Sequence, residues 1–356
     1  MKRLLVAGLL LGVSACGPIN KPFAVSPSAS PHATVTVSAS ESPTASGAHS
    51  VVAFACQLPV AERQSSGFRG AFLTFPSGDV AQDPHANFPD ASGATFTRRY
   101  SRWLPVGITA VSPDSAHYAY SEFVDTPFRH SRVHVVDVAT RVDRVVYSQT
   151  SQDHGFYVVL DYQAAGIYVG DVGPSGESIN GLWRLDPKTQ SVQMLAPISE
   201  PGSRQGFYLI GAGGAWYGDV APGDAPPHLG IAPMDRLLRF DLTTSARLPW
   251  FRREGMEVEG LGFDGAGHPI VRAAKMSDPS TPTSQELWLV AAPGVANQFY
   301  SGPGSTSPAF LSLVGAPLAD DHGLWFGTSA GIYLHTPDGK FQKVSSAVGE
   351  VAGRCL

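Results

Sequence analysis

Residues 155–172 read GFYVVLDYQAAGIYVGDV. The stretch predicts two short strands rich in Val, Tyr, Ile and Phe, joined by a turn between Asp161 and Gly166. A second copy, GFYLIGAGGAWYGDV, begins 51 residues later at Gly206. Each copy is followed by a polar loop and by a third strand that ends in Asp, GLWRLD or LLRFD. A period near this length, filled by about four strands, is typical of a radial β array.

The second strand of this unit recurs along the chain, and a third strand follows each copy. The copies are Ala116–Ser121, Gly166–Asp171, Gly214–Asp219, Gly267–Arg272 and Gly323–Thr328. A sixth, more irregular unit accounts for Gly70–Phe75 and Thr95–Tyr100. Because one blade cannot bury both of its faces, neighbouring blades must stack and the ring must close. The sequence therefore predicts an all-β fold, a β-propeller of six four-stranded blades, with seven blades or a pair of β-sandwiches as alternatives.

Composition agrees with many short strands and turns. The chain of 356 residues contains 38 Gly and 29 Pro, and only 15% of its residues are charged. Its net charge is −5, and it has no cluster of Lys and Arg. Since contacts to phosphate supply most of the affinity for nucleic acid, this charge argues against a nucleic-acid partner.

The N-terminal residues predict secretion. Residues 1–16 (MKRLLVAGLLLGVSAC) place Lys2 and Arg3 before a short apolar run. The run is too short for a membrane span, which needs about 20 residues, and is typical of a signal peptide. Residues 17–49 are dominated by Ser, Pro, Thr and Ala, which predicts a disordered tether. Residues 50–356 form the predicted propeller domain.

The three cysteines divide into two groups. Val13-Ser14-Ala15-Cys16 resembles the bacterial lipobox. That resemblance implies a lipid on Cys16 and a protein anchored to the cell membrane of a bacterium on the extracytoplasmic face; the alternative is an ordinary cleaved signal in which this cysteine is incidental. Cys56 and Cys355 lie at the two ends of the folded part, which predicts a disulfide in an oxidising compartment.

Two stretches resemble known propeller families. VSPDSAHYAY (111–120), followed by VHVVDVATRVDRVVY (133–147), resembles the repeat of Tol-system periplasmic propellers, with Ser115 and Arg141 in place of the two turn glycines. GLWFGTSAGIYLHTPDG (323–339) resembles the sensor propellers of two-component regulators and the virginiamycin B lyase group. Each resemblance covers about one blade and implies its strand and turn chemistry, without transferring a catalytic residue.

Candidate binding residues lie where second strands enter the long loops that precede third strands. These residues are Glu122, Asp171, Asp219 and Arg272, with Thr328 at the matching position of the last unit. Three carboxylates at matching positions would form an acidic arc at the channel mouth, suited to Ca²⁺ or an amine. The simpler alternative, which we favour, is that each Asp accepts backbone N–H bonds in a turn. His228, in a Pro-rich loop, is a further candidate for reaching the channel.

Two classes of function fit these features. The favoured one is a lipid-anchored binding or scaffold module at the cell envelope, whose partner is a protein, a peptide or a glycan. The alternative is a metal-assisted propeller enzyme, either lyase-like or similar to quinoprotein sugar and alcohol dehydrogenases. An enzyme would place a His and carboxylates, or several Arg and Lys, in one pocket on the channel axis. A sensor domain that acts with a separate partner subunit is a third possibility.

The Asp-His pairs at 153–154 and 321–322 are interpreted as turns, so no cofactor is predicted apart from Ca²⁺ at the acidic arc.

Overall fold

The computed structural model describes residues 52–124, 130–150, 156–172, 179–197, 207–211, 213–219, 234–278, 281–307 and 309–356. The signal peptide, the tether, Cys16, His228 and the Asp153–His154 pair lie outside these ranges, so the predictions that concern them stay predictions. Within these ranges the single helical element is a 3-10 turn at Ile108–Ala110. No helix there has the length and the apolar composition that crossing a bilayer requires.

The first half of the described chain forms blades 1 to 3 and one separate hairpin. Blade 1 contains β1 (Cys56–Gln64), β2 (Gly67–Phe75) and β3 (Val80–Phe88), and the hairpin of β4 (Thr95–Thr97) and β5 (Arg102–Leu104) follows it. Blade 2 contains β6 (His117–Val124), β7 (His130–Asp137) and β8 (Asp143–Thr150). Blade 3 contains β9 (Phe156–Gln163), β10 (Gly166–Val172), β11 (Ile179–Leu185) and β12 (Val192–Pro197).

The second half forms blades 4 to 6 and returns to blade 1. Blade 4 contains β13 (Phe207–Gly211), β14 (Gly214–Asp219), β15 (Arg236–Asp241) and β16 (Arg247–Arg252). Blade 5 contains β17 (Glu257–Phe263), β18 (Pro269–Asp278), β19 (Thr281–Ala292) and β20 (Val295–Pro303). Blade 6 contains β21 (Leu318–Asp320), β22 (Gly323–Thr328), β23 (Gly331–His335) and β24 (Phe341–Ser345), and β25 (Glu350–Val351) pairs with β1. The six-bladed propeller predicted from the sequence is confirmed.

Glycine begins the repeated second strand because a side chain does not fit there. Gly166 has a φ of 136°, and a Cβ on it would lie 2.6 Å from the carbonyl oxygen of Leu185. Gly323 begins β22 with a φ of 134°, and a Cβ on it would approach the carbonyl oxygen of His335 even more closely. A residue with a side chain is disfavoured by this φ and excluded by this contact. The recurring glycine is thus explained by the close approach of the third strand.

The turns between third and fourth strands share one hydrogen-bonded geometry. In blade 2 the Thr140 N–H donates to Asp137 Oδ1 at 2.7 Å, and Arg141 takes a positive φ of 62°. Ser115, in the other turn of the Tol-like repeat, has a φ of 57°. Both residues therefore keep the left-handed backbone that glycine supplies in that repeat. Blades 3 and 4 repeat the arrangement with Asp186 and Gln190, and with Asp241 and Ser245.

Apolar clusters join neighbouring blades around most of the ring. Trp216 and Trp325 occupy the same position of the second strand and are fully buried, in the clusters between blades 4 and 5 and between blades 6 and 1. Similar clusters join blade 2 to 3, blade 3 to 4, and blade 5 to 6. Since blades 3 to 6 bury both faces of their sheets against their neighbours, these clusters hold the ring together. Trp216 and Trp325 thus belong to the core of the ring.

The ring closes between the first and last residues of the described chain. Val351 of β25 pairs with Val60 of β1, which gives blade 1 its innermost strand from the C-terminus. Cys56 and Cys355 form a disulfide with their Cα atoms 5.5 Å apart. The Cys355 N–H also donates to Asp320 Oδ2 at 3.1 Å. The predicted disulfide is confirmed, and it lies where blades 1 and 6 meet.

Two details of the predicted repeat are wrong. Thr95–Thr97 belongs to a two-stranded hairpin and not to the sheet of a blade. Among the described residues, blade 2 has three strands, with an isolated bridge between Val111 and Tyr118 where the other blades have a first strand. The repeat departs from the predicted pattern here because residues 91–111 lie between blades 1 and 2. Trp103 of this segment packs in a cluster with blade 1, and Leu104 packs in a cluster with blade 2.

Candidate functional site

The predicted carboxylates at the ends of second strands face arginines. Glu122 lies opposite Arg132 in the β6–β7 register, with Oε2 and Nη1 3.2 Å apart. Asp219 lies opposite Arg236 in the β14–β15 register, with Oδ2 and Nη2 2.6 Å apart. Each carboxylate is therefore compensated by a cation of the same blade.

The other two predicted residues also lie at strand positions. Arg272 pairs with Glu259 of the neighbouring first strand, with Nη2 and Oε2 2.6 Å apart. Asp171 is the second-last residue of β10 and lies opposite Gly181. Thr328, at the matching position of blade 6, is buried and donates to the carbonyl oxygen of Gly331 at 2.7 Å. The sequence reveals the carboxylates, but it does not reveal the strand register that places an arginine opposite two of them. Ca²⁺ binding by an acidic arc stays a prediction.

One group of potential metal ligands occurs among the described residues, and it has a structural role. Asp320, His322 and Cys355 have ligand atoms within 4.8 Å of one another. The sulfur of Cys355 is bonded to Cys56, and Asp320 accepts the backbone N–H bonds of both His322 and Cys355. The His322 ring lies 4.1 Å from the ring of Phe54. The group therefore supports the closure of the ring.

A cleft lies between blades 1 and 2, and we call it the blade 1–2 cleft. It has a volume of about 1210 Å³ and is bordered by Phe88 of blade 1, Trp103 of the hairpin, and Tyr118, Tyr120 and Asp143 of blade 2. The cleft exists because residues 91–111 hold the two blades apart at this interface. Its size exceeds the range of about 300–1,000 Å³ that is usual for small-molecule sites.

A cluster of titratable groups extends from Tyr120 and Asp143, which line this cleft, to His134 and Glu122, which do not line it. The Tyr120 hydroxyl donates to Asp143 Oδ2 at 2.6 Å, and its ring stacks on His134 with the ring centroids 4.5 Å apart. Nδ1 of His134 lies 3.0 Å from Asp143 Oδ1, and its Nε2 lies 3.4 Å from Glu122 Oε2. Burial, together with the Asp143 carboxylate, raises the pKa of Tyr120 well above its ordinary value. Tyr120 is therefore a neutral phenol at physiological pH, whose one proton is donated to Asp143 and whose oxygen can accept a hydrogen bond from a ligand.

The charge of the lining favours some ligands over others. Its ionised side chains are four carboxylates, Asp83, Asp90, Asp137 and Asp143, and two guanidinium groups, Arg102 and Arg141. The Arg102 side chain already donates to the carbonyl oxygen of Val138 at 2.5 Å. A cleft with an excess of carboxylates attracts cations and repels anions. The aromatic walls add apolar surface on which a ligand can pack.

Alternation along the strands of blade 2 produces this polar wall. Tyr118, Tyr120 and Glu122 project from one face of β6, whereas Ala119 projects from the other and is buried against blade 3. The second strands of blades 4 and 6, GAWYGD and GLWFGT, are instead buried on both faces. The sequence HYAYSE thus carried a signal that its blade has one polar face, a feature our sequence analysis did not use.

The fold and this cleft define a six-bladed β-propeller with one open interface between blades. No protein-family model matches the sequence, and a comparison with curated proteins gave no match. Solved structures match it in fold. A prolyl endopeptidase has a TM-score of 0.50 and 12% identity over 81% of this chain, which spans about half of that enzyme, 49%.

Two further structural neighbours are more distant. An oligogalacturonate lyase from Vibrio parahaemolyticus has a TM-score of 0.48 and 12% identity, and the match covers 76% of this chain and 82% of the lyase. TolB from Acinetobacter baumannii has a TM-score of 0.43 and 11% identity, and the match covers 84% of this chain and 67% of TolB. At these identities the likeness concerns the fold alone.

Proposed function

We propose that this chain is an extracytoplasmic binding module, anchored to the bacterial membrane by a lipid on Cys16, and that it binds its ligand in the blade 1–2 cleft. The observation that carries the proposal is the contrast between interfaces. Apolar clusters join the blades at the other five interfaces, whereas the interface of blades 1 and 2 has a cleft with aromatic and carboxylate walls. Concave sites with aromatic walls and a few convergent polar groups are typical of ligand binding.

The chemistry of the cleft favours a neutral or cationic ligand. Tyr120 and Asp143 offer hydrogen-bonding atoms in one small area, and carboxylates outnumber arginines around it. An amine, an oligosaccharide or a basic peptide fits this set of groups better than an anion. The enzyme alternative draws its support from His134, which lies beside Asp143 and Glu122. The metal-ligand group of the described residues does not support it, because the sulfur of that group belongs to a disulfide.

A thermal-shift screen of the mature chain tests the ligand site. The panel contains Ca²⁺, polyamines, neutral oligosaccharides and short peptides, because a ligand that binds the folded state raises the melting temperature. We expect Tyr120→Phe to weaken binding of the responding compound about tenfold, since it removes one hydrogen bond at a partly buried site. Tyr333→Phe is the matched control, because Tyr333 stacks on Phe341 at the blade 5–6 interface, away from the cleft. Equal effects of the two variants would refute the assignment of the cleft.

Membrane fractionation tests the anchor. We expect the full-length protein to sediment with membranes in its bacterial host and Cys16→Ala to shift it to the soluble fraction, because the lipid is attached through the thiol of the lipobox cysteine. A variant that still sediments with membranes would contradict lipid anchoring. This outcome leaves the assignment of the cleft to the ligand screen, since the two tests use separate parts of the chain.

A further inference from the structure

The inner edge of blade 2 lacks a strand that the other blades possess. β6 pairs with β7 on its outer side, and on its inner side the described chain offers it only the Val111–Tyr118 bridge. In each of the other five blades the equivalent strand has a partner on both sides. An edge strand with unpaired backbone groups is a ready template for the addition of another strand.

The backbone of β6 presents donors and acceptors on this inner side. The carbonyl oxygen of His117 accepts a bond from the Ser112 N–H there, which fixes the direction of its backbone groups. Because the N–H and C=O of one residue point to the same side and alternate along a strand, Ala119 and Ser121 present theirs to the same side. No hydrogen bond joins the inner-side N–H or C=O of Ser121 to another described residue. Its hydroxyl oxygen is also buried without a partner.

The blade 1–2 cleft follows this edge. Its lining includes consecutive residues of β6 from Tyr118 to Ser121, and Tyr157–Val159 of the first strand of blade 3. Consecutive residues of a strand point to opposite faces, so a cavity that touches all of them runs along the strand edge. The space is therefore continuous from the polar face of blade 2 to the neighbouring inner strand.

We infer that the cleft binds an extended peptide, which adds to β6 as the missing first strand of blade 2. Binding by strand addition takes its affinity from backbone hydrogen bonds and its specificity from alternate side chains. Side chains beside Tyr118 and Tyr120 would face the cleft, where carboxylates predominate, and those beside Ala119 would face the apolar surface of blade 3. The geometry thus selects a peptide that alternates basic or polar residues with small apolar ones. This inference rests on the proposed function, because it places the ligand in the same cleft.

Two isomeric peptides provide the test. The probe is a fluorescein-labelled hexapeptide of alternating Lys and Val, and its binding to the mature chain is followed by fluorescence anisotropy. One isomer is N-methylated on its three Lys residues and the other on its three Val residues. In a strand, only one of these sets points its N–H groups toward β6, and a shift of register by two residues preserves that set. We expect one isomer to bind like the parent and the other about tenfold or more weakly, because N-methylation removes the donors.

Substitution of the protein provides an independent reading. Ser121→Pro removes the N–H that faces the cleft and leaves the β6–β7 hydrogen bonds intact, a placement that edge strands tolerate. We expect the parent peptide to bind this variant about tenfold more weakly. Circular dichroism shows whether the variant folds. If it does not fold, the binding of the two N-methylated isomers to the wild-type protein tests the inference.

The possible failures can be told apart. If the parent peptide binds and Tyr120→Phe weakens it, but both N-methyl isomers bind equally, strand addition is overturned and the proposed cleft stands. If the peptide does not bind, but another compound of the thermal-shift screen binds and Tyr120→Phe weakens its binding, strand addition is again overturned and the proposed cleft stands. A peptide that binds with equal affinity after Tyr120→Phe, Ser121→Pro and N-methylation of either set would overturn both.

Discussion

Asp161 is the carboxylate whose ionisation we expect to limit the stability of the ring at neutral pH. It lies near the end of β9, where Oδ1 accepts the Tyr162 N–H at 3.0 Å and Oδ2 accepts the Gln163 amide at 2.6 Å. The same amide donates to the carbonyl oxygen of Ile210 in blade 4 at 3.2 Å. Burial raises the pKa of Asp161 from 3.8 to about 6, because two neutral donors do not replace the water that the carboxylate loses.

The sign of the effect follows from the direction of this shift. The folded chain binds the proton of Asp161 more tightly than the unfolded chain, so protonation favours folding. This contribution is complete below the unfolded pKa of 3.8 and is lost as pH rises through about 6. A difference of about 2 pKa units corresponds to about 3 kcal/mol. Asp161→Asn removes the charge but keeps one acceptor oxygen where the carboxylate has two, and this loss does not depend on pH. We therefore expect the change in the free energy of unfolding caused by the substitution to be about 3 kcal/mol more favourable at about pH 7.5 than at about pH 3.5.

Urea denaturation followed by tryptophan fluorescence over this pH range measures the difference directly. The matched control is Asp241→Asn, because backbone N–H bonds from Thr244 and Thr243 lower the pKa of Asp241 to about 2. Its ionised form favours folding above the unfolded pKa, so the control should lose stability at neutral pH, and this loss should disappear as pH falls toward about 2. A stability difference between wild type and Asp161→Asn that stays constant from acid to neutral pH would refute the reasoning.

Two further predictions concern closure and turns. Replacing Cys56 and Cys355 with Ser removes a crosslink that spans 299 residues. The chain-entropy relation predicts that the free energy of unfolding falls by about 5–6 kcal/mol. Urea denaturation midpoints of the wild type with and without reductant measure this loss, and midpoints that do not change with reductant would contradict the prediction. Gln190→Gly and Ser245→Gly should each add about 0.5–1 kcal/mol to the free energy of unfolding, because both residues have a left-handed backbone in matching turns. Unchanged or lower urea denaturation midpoints would argue against backbone strain at these positions.

The repeated parts of the fold were predictable because their causes are local. Gly166 and Gly323 recur because a third strand crowds the start of the second, and the Asp137 and Asp186 turns recur because their side chains bind the backbone three residues ahead. Such signals lie within a few residues of one another, so the sequence displays them. The disulfide was predictable for a different reason, since only two cysteines remain once Cys16 is assigned to the signal.

The candidate site was hidden because it depends on contacts between distant parts of the chain. The sequence predicted Thr95–Tyr100 as part of a blade, whereas Trp103 and Leu104 of the same segment divide their packing between two blades. Nothing local distinguishes a short hairpin that joins a blade from one that separates two blades. The pairing of Glu122 with Arg132 was hidden in the same way, because a shift of one residue in the β6–β7 register would send Arg132 to the other face.

A ligand that binds between blades 1 and 2 would disrupt the packing of the ring less than a ligand that binds at another interface. At the other five interfaces, a ligand would have to displace apolar clusters that hold the blades together. Between blades 1 and 2 the inserted segment already packs on both neighbours, so the space beside β6 can be occupied without separating them. An added strand there would also pair backbone groups of Ser121 that no described residue pairs with. A departure from the repeat thus combines an available volume with unused hydrogen-bonding capacity, the two properties that a strand-binding site requires.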